Sequence, residues 1–90
     1  MTEESIEKIG KALSDKTRVK LLEEIKCHEG LCCMEAQNCT SLTQPTVSHH
    51  IKILIDSGLV KAERAGRKVK LKINKKELDK FTNYMNKLVV

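Results

Sequence analysis

Four cysteines, Cys27, Cys32, Cys33 and Cys39, are the residues of this 90-residue chain best suited to chemistry. The adjacent pair Cys32-Cys33 falls in Leu31–Thr40, LCCMEAQNCT, which reads as a short, weakly amphipathic helix. Neighbours on a helix diverge by about 100°, so the two thiols cannot both be buried in one direction. At least one should be partly exposed at the helix N-terminus, where the dipole favours thiolate. Two chemistries stay open. Two thiolates can chelate a soft ion such as trivalent arsenic, with a third from Cys27 or Cys39. Alternatively, an oxidant can join them in a strained bridge. Cα atoms across a trans peptide are about 3.8 Å apart, short of the roughly 4.4–6.8 Å of ordinary disulfides. Such a bridge is easily reduced, which suits a switch and not a staple. Cys39 lies on the same face as Cys32 but two turns away, roughly 10 Å, so a regular helix cannot bring both to one ion. Its simpler reading is a small buried hydrophobe. Cys27-His28 taken with Cys32-Cys33 matches no common structural zinc spacing.

A second group of residues suits recognition of a polyanion. From Thr43 to Val60, TQPTVSHHIKILIDSGLV, the chain reads as one helix with Thr43 as N-cap, Pro45 in the first turn and Gly58 as stop. Val47, Ile51, Leu54 and Ile55 make its buried face. Gln44, Thr46, Ser48, His49 and Lys52 fall on the other side, while His50 is expected to pack between helices. Short donors and acceptors near a helix N-terminus, with a lysine one turn on, are what a helix needs to read a DNA major groove. Beyond Gly58 the period changes to two. Val60, Ala62, Val69, Leu71 and Ile73 alternate with Lys61, Glu63, Lys68, Lys70 and Lys72 about an Ala65-Gly66 pivot. This is a β-hairpin with Arg64 and Arg67 at its tip. Arg64, Arg67 and Lys68 are expected on the phosphate backbone or the adjacent minor groove.

Charge supports the same partner. Residues 61–76 hold eight Lys or Arg and one acid, a local +7 against +5 for the whole chain, so the rest carries −2. A basic segment on a nearly neutral body implies a polyanionic ligand. The N-terminus is acidic and polar, and no apolar run approaches the ~18 residues of a membrane span. The expected setting is therefore the cytoplasm without membrane contact, where structural disulfides are rare. No acid–base partner, cofactor motif or pocket-forming loop accompanies the thiols, which argues against an enzyme.

The remaining elements position these groups. Glu3–Leu13 reads as a helix with Ile6, Ile9 and Leu13 on one face, broken by Ser14-Asp15. Asp15 caps a second helix, Lys16 to about Cys27, with apolar positions Val19, Leu21, Leu22 and Ile25. Asn74 caps a last helix, Lys75 to about Val89, striped by Leu78, Phe81, Met85 and Leu88. The expected fold is one domain over residues 1–90, mainly α with a small β-hairpin. It is a winged helix-turn-helix in which four helices precede the hairpin and one follows. Ile6, Ile9, Leu78, Phe81, Met85 and Leu88 are expected at a homodimer interface, which would present two reading helices to two half-sites. A winged helix used only for protein interaction would need neither the polar helix face nor the basic tip.

Several motifs in the same order resemble the ArsR/SmtB family of dimeric winged-helix repressors. They are Ala12-Leu13-Ser14-Asp15-Lys16-Thr17-Arg18, Ser48-His49-His50-Ile51, Ser57-Gly58-Leu59-Val60 and Arg64-Ala65-Gly66-Arg67-Lys68, and the likeness covers roughly residues 9–76. The resemblance implies repression by a dimer on double-stranded operator DNA, with no cofactor in the DNA-bound form. It also implies release when an inducer binds, in many members a metal or metalloid held by thiolates at the start of the third helix. The family pattern there is Cys-x-Cys. Cys32 falls on its first position, Met34 on its second and Cys33 between them. The last helix has neither Cys nor His, so the family's zinc site on that helix is absent. Taken with the thiol chemistry above, the expected sensor thiols are Cys32, Cys33 and Cys39, and the expected metal ligands are Cys32 and Cys33 with Cys27 as a weaker one.

Overall fold

A computed structural model describes residues 1–28 and 30–89, with the side chain of Cys33 outside the described set. Among the described residues, five helices and three strands follow in order: α1 (Glu3–Leu13), α2 (Lys16–Cys27), β1 (Leu31–Cys32), α3 (Cys33–Gln37), α4 (Gln44–Asp56), β2 (Val60–Ala65), β3 (Lys68–Ile73) and α5 (Lys75–Asn86). α1 and α2 occupy the expected spans, because their caps are strong. Thr2 Oγ1 accepts from Ser5 N–H at 3.1 Å. Asp15 Oδ1 accepts from Thr17 N–H at 2.8 Å and Arg18 N–H at 3.2 Å. Asn74 Oδ1 likewise opens α5.

Leu31–Thr40 departs from the expected helix. Leu31 and Cys32 form a short strand, and the helix begins at Cys33 and ends at Gln37. Gly30 has a φ of +75°, which turns the chain out of α2 and into that strand. Leu31 then pairs with Leu71 and Cys32 with Lys70. The result is an antiparallel three-stranded sheet in the order β1-β3-β2. The hairpin therefore has a strand on its inner side as well as helices beneath it. Its turn is one residue later than expected. Ala65 pairs with Lys68, leaving Gly66-Arg67 as the two-residue loop. Gly66 has a φ of +64° and no non-glycine residue among those described has positive φ, as in a type II′ hairpin.

The core is aliphatic, as two aromatics in the chain require. Ala12, Leu21, Ile25, Leu31, Ala36, Val47, Ile51, Leu54, Val60 and Leu71 form one buried cluster. It takes residues from every element except α5. On α4 the buried set is Val47, Ile51 and Leu54, with Ile55 half-buried. On α2 the expected face is rotated by one position: Val19 is exposed, and Arg18 is buried beside Leu21 and Ile25. Ile9 is a further correction. It is fully buried within the chain, so it has no surface left for a dimer partner. Among the described residues no helix is long and apolar enough to cross a membrane.

Candidate nucleic-acid interface and thiol site

The polar face of α4 is open. Gln44, Thr46, Ser48, His49 and Lys52 are all exposed, while Val47, Ile51 and Leu54 on the opposite face hold the helix to the core. Thr43 occupies the N-cap, but its hydroxyl engages Thr46 Oγ1 at 3.0 Å and leaves the first-turn N–H groups unpaired by it. At the other end Ser57 Oγ donates to Leu54 O at 2.6 Å and accepts from Leu59 N–H at 3.2 Å. Those bonds, with Gly58 at φ +86°, stop α4 and redirect the chain into the sheet.

Arg64, Arg67 and Lys68 are exposed on the wing. The lysine face behind the tip is partly neutralised, since Glu63 Oε2 lies 3.0 Å from Lys72 Nζ and Oε1 lies 3.9 Å from Lys61 Nζ. These lysine pairs hold the Glu63 carboxyl below its ordinary range, chiefly through Lys72. Arg64, Arg67 and Lys68 stand outside that pairing, so the free positive charge is concentrated toward the tip.

Gln44 at the start of α4 and Arg67-Lys68 on the wing line one cleft of about 660 Å³. Cys32, Met34 and Glu35 also line it. The predicted reading helix, the wing tip and one predicted sensor residue therefore share a single concavity. α3 is joined to the approach of α4 by Gln37, whose Nε2 donates to Leu42 O at 2.6 Å.

The thiols are placed differently from expectation. Cys32 caps α3 from the end of β1 and is only 8% exposed. Its N–H donates to Glu35 Oε1 at 3.4 Å. The neighbouring Glu35 carboxylate pushes the thiol's pKa up, assisted by burial and opposed by Lys68 and Lys70. The helix start thus fails to make Cys32 a ready thiolate, because the Glu35 carboxylate and burial outweigh Lys68 and Lys70. Cys32 in turn, with Lys68 nearby, lowers the Glu35 carboxyl. Cys39 lies beyond the end of α3, half-buried, with Sγ donating to Glu35 O at 3.6 Å. Burial raises its pKa, and Glu24 adds to the effect. Cys27 is exposed at the end of α2. The sensor role expected of Cys33 rests on a side chain outside the described residues. Among the described residues no three His, Cys, Asp or Glu side chains gather as a metal-binding set.

The expected dimer surface is mostly open. α5 has no buried residue, and Leu78, Met85 and Leu88 are 41%, 43% and 63% exposed. Phe81 and, on α1, Ile6 are half-buried.

One polar residue central to the architecture was missed from sequence. Arg18 is 8% exposed, and its guanidinium bonds to Ala12 O, Lys11 O and His50 Nδ1. Its position was legible in principle: residues 18, 21, 22 and 25 fall at i, i+3, i+4 and i+7, which puts an arginine on the apolar face of α2.

Comparison with known proteins agrees with this architecture. The helix-turn-helix domain family model matches residues 13–63. An arsenical resistance operon repressor of Staphylococcus aureus is 34% identical over 86 residues, covering 96% of this chain and 82% of that protein. A crystal structure of an ArsR family transcriptional regulator superposes with a TM-score of 0.85 at 23% identity, over 98% of this chain and 90% of that one. The homodimeric winged helix-turn-helix DNA-binding domain of a possible ArsR-family regulator from Mycobacterium bovis, solved by NMR, gives a TM-score of 0.75 at 20% identity, over 94% of this chain and 78% of that one. With the helix-turn-helix, the wing and a relative matched over 96% of this chain, the chain belongs to the ArsR family of winged helix-turn-helix transcriptional regulators.

Proposed function

We propose that this chain is a homodimeric repressor that binds operator DNA through α4 and the wing. A thiol-directed signal at Cys32 and Cys33, a soft metal or metalloid such as arsenite, releases it. The carrying observation is the shared cleft: Gln44 and the Arg67-Lys68 tip line one concavity, so a single duplex can meet both. In this reading Gln44, Thr46, Ser48, His49 and Lys52 face base edges, and Arg64, Arg67 and Lys68 face phosphate. The protein acts as a cytoplasmic binding module and not as an enzyme, with no cofactor while on DNA. The exposed stripe Leu78-Phe81-Met85-Leu88, joined by Ile6, supplies the dimer contact, and the homodimeric relative supports that assembly.

The arsenical-resistance relative supports a metalloid inducer. Cys32 lines the cleft and opens α3, and Gln37 ties α3 to Leu42 just before α4, which gives a short path from thiol to reading helix. The third ligand comes from Cys27, Cys39 or the second chain.

The test is a gel-shift on the duplex upstream of the chain's own gene, with reduced protein titrated separately with arsenite, cadmium, zinc and peroxide. Arsenite should release wild-type protein and leave the Cys32→Ser/Cys33→Ser double variant bound. Release of that double variant would remove these thiols from the mechanism.

A further inference from the structure

We infer that Arg18 is a positioning residue for DNA recognition: through His50 it sets the orientation in which α4 presents its reading face. This rests on the DNA-binding reading above. An arginine in the first turn of a helix is ordinarily solvated, with its head in water. Here the head is held by two other elements. Nε donates to Ala12 O at 3.0 Å and Nη2 to Lys11 O at 2.8 Å. Both carbonyls belong to the last turn of α1, where the helix dipole favours a cation, and Lys11 O also accepts from the Ser14 N–H and hydroxyl. The remaining nitrogen, Nη1, lies 3.0 Å from His50 Nδ1 on α4. One side chain rooted in α2 therefore joins the end of α1 to the middle of the recognition helix.

The guanidinium is planar and rigid, so fixing two of its nitrogens on α1 also fixes where the third points. Arginine has donors only, so His50 must contribute the Nδ1 lone pair and carry its proton on Nε2. That bond is directional in a way that the apolar contacts of α4 are not. Val47, Ile51 and Leu54 bury the right face of the helix, but burial alone tolerates small rotations and slides. His50 lies between His49 and Ile51, within two residues of Ser48 and Lys52, so a rotation at His50 displaces the groups that read bases. The phosphate-facing tip of the wing is not attached to this linkage.

The readout is the ratio of affinity for the promoter duplex to affinity for a scrambled duplex of the same composition. His50→Leu removes the acceptor. His50→Asn keeps one, because the Asn side-chain oxygen falls near the place of Nδ1. His50→Leu should lower the ratio about tenfold while leaving the scrambled-duplex affinity and its salt slope at wild-type values. His50→Asn should restore most of the ratio, and Arg18→Lys/His50→Leu should discriminate no worse than Arg18→Lys. An unchanged ratio in His50→Leu, or an equal loss in His50→Leu and His50→Asn, overturns the inference. So does a wild type that binds both duplexes equally, an outcome that also removes operator-specific recognition, whereas a wild type that binds neither removes the DNA reading itself. A second measurement needs no variant. Nitrogen-15 shifts of wild-type protein should show His50 Nδ1 unprotonated and Nε2 protonated, and the opposite tautomer overturns the proposal.

Discussion

α4 and α5 are amphipathic helices of nearly equal length, each with a polar cap residue before it and an apolar stripe at helical spacing, yet the chain uses them in opposite ways. The α4 stripe of Val47, Ile51 and Leu54 is buried, Leu54 completely. The α5 stripe of Leu78, Phe81, Met85 and Leu88 buries no residue fully. The difference lies in what surrounds them. α4 is packed among α1, α2, α3 and β2, whereas α5 leaves the sheet after Ile73 and lies at the edge of the core. The same pattern thus encodes an internal contact in one helix and an open surface in the other. The contrast also separates two kinds of fragility: the first helix is needed for folding, and the second, in the reading proposed above, for assembly.

The largest expected effect is on α4. Leu54→Ala should cost roughly 2–5 kcal/mol, a large part of the ~5–15 kcal/mol of a domain this size. Urea unfolding should show a lower midpoint, and a loss under 1 kcal/mol would break the contrast. Leu78→Glu on α5 should instead keep the fold and lose the dimer. Sedimentation equilibrium should show monomer, circular dichroism should be unchanged, and promoter affinity should fall because half-sites are no longer read together. A folded dimer in that variant would show that α5 is not the interface.

A smaller effect is expected at the wing. Arg67→Ala should weaken binding to all duplexes alike and lower the salt slope by about 1, while Gln44→Ala should relax sequence preference at nearly unchanged slope. Identical behaviour of the two would merge the base-reading role given to α4 with the phosphate-binding role given to the wing. The smallest effect is at the Asp15 cap. The Arg18 N–H, with that of Thr17, holds its carboxyl below the ordinary range despite partial burial. A carboxyl depressed in the folded state stabilises above its unfolded pKa, near 3.9, and loses that contribution as pH falls through the folded value. Asp15→Asn should therefore melt slightly earlier than wild type at neutral pH, and the gap should close as pH falls below about 4. A gap independent of pH would assign the effect to shape and not charge.

Much of this arrangement was legible because it is local. Asp15 marks the boundary between α1 and α2 with a side chain that caps its own neighbours. Val47, Ile51 and Leu54 announce a buried face by spacing alone, and the alternation about Gly66 announces a hairpin. The errors share one cause. Leu31-Cys32 looked like the start of a helix because its strand partners, Leu71 and Lys70, are distant in sequence. Cys32 looked like an activated thiol because the dipole was visible, while the approach of Glu35 to its sulfur depended on that strand. Ile9 was placed at the dimer surface because a stripe does not say which part of it the chain itself will cover.

By itself, then, the order of residues determined the helices α1, α2, α4 and α5, where the basic charge collects and which face of α4 is polar, since each follows from neighbours within a turn or two. Tertiary structure alone decided that Cys32 is a buried cap, that Gln44 and Arg67 share one cleft, and that Arg18 leaves water to bind α1 and His50. Those outcomes depend on burial and hydrogen-bond partners contributed by distant segments. A guanidinium head gives up its hydration only when folding brings three acceptors to it together.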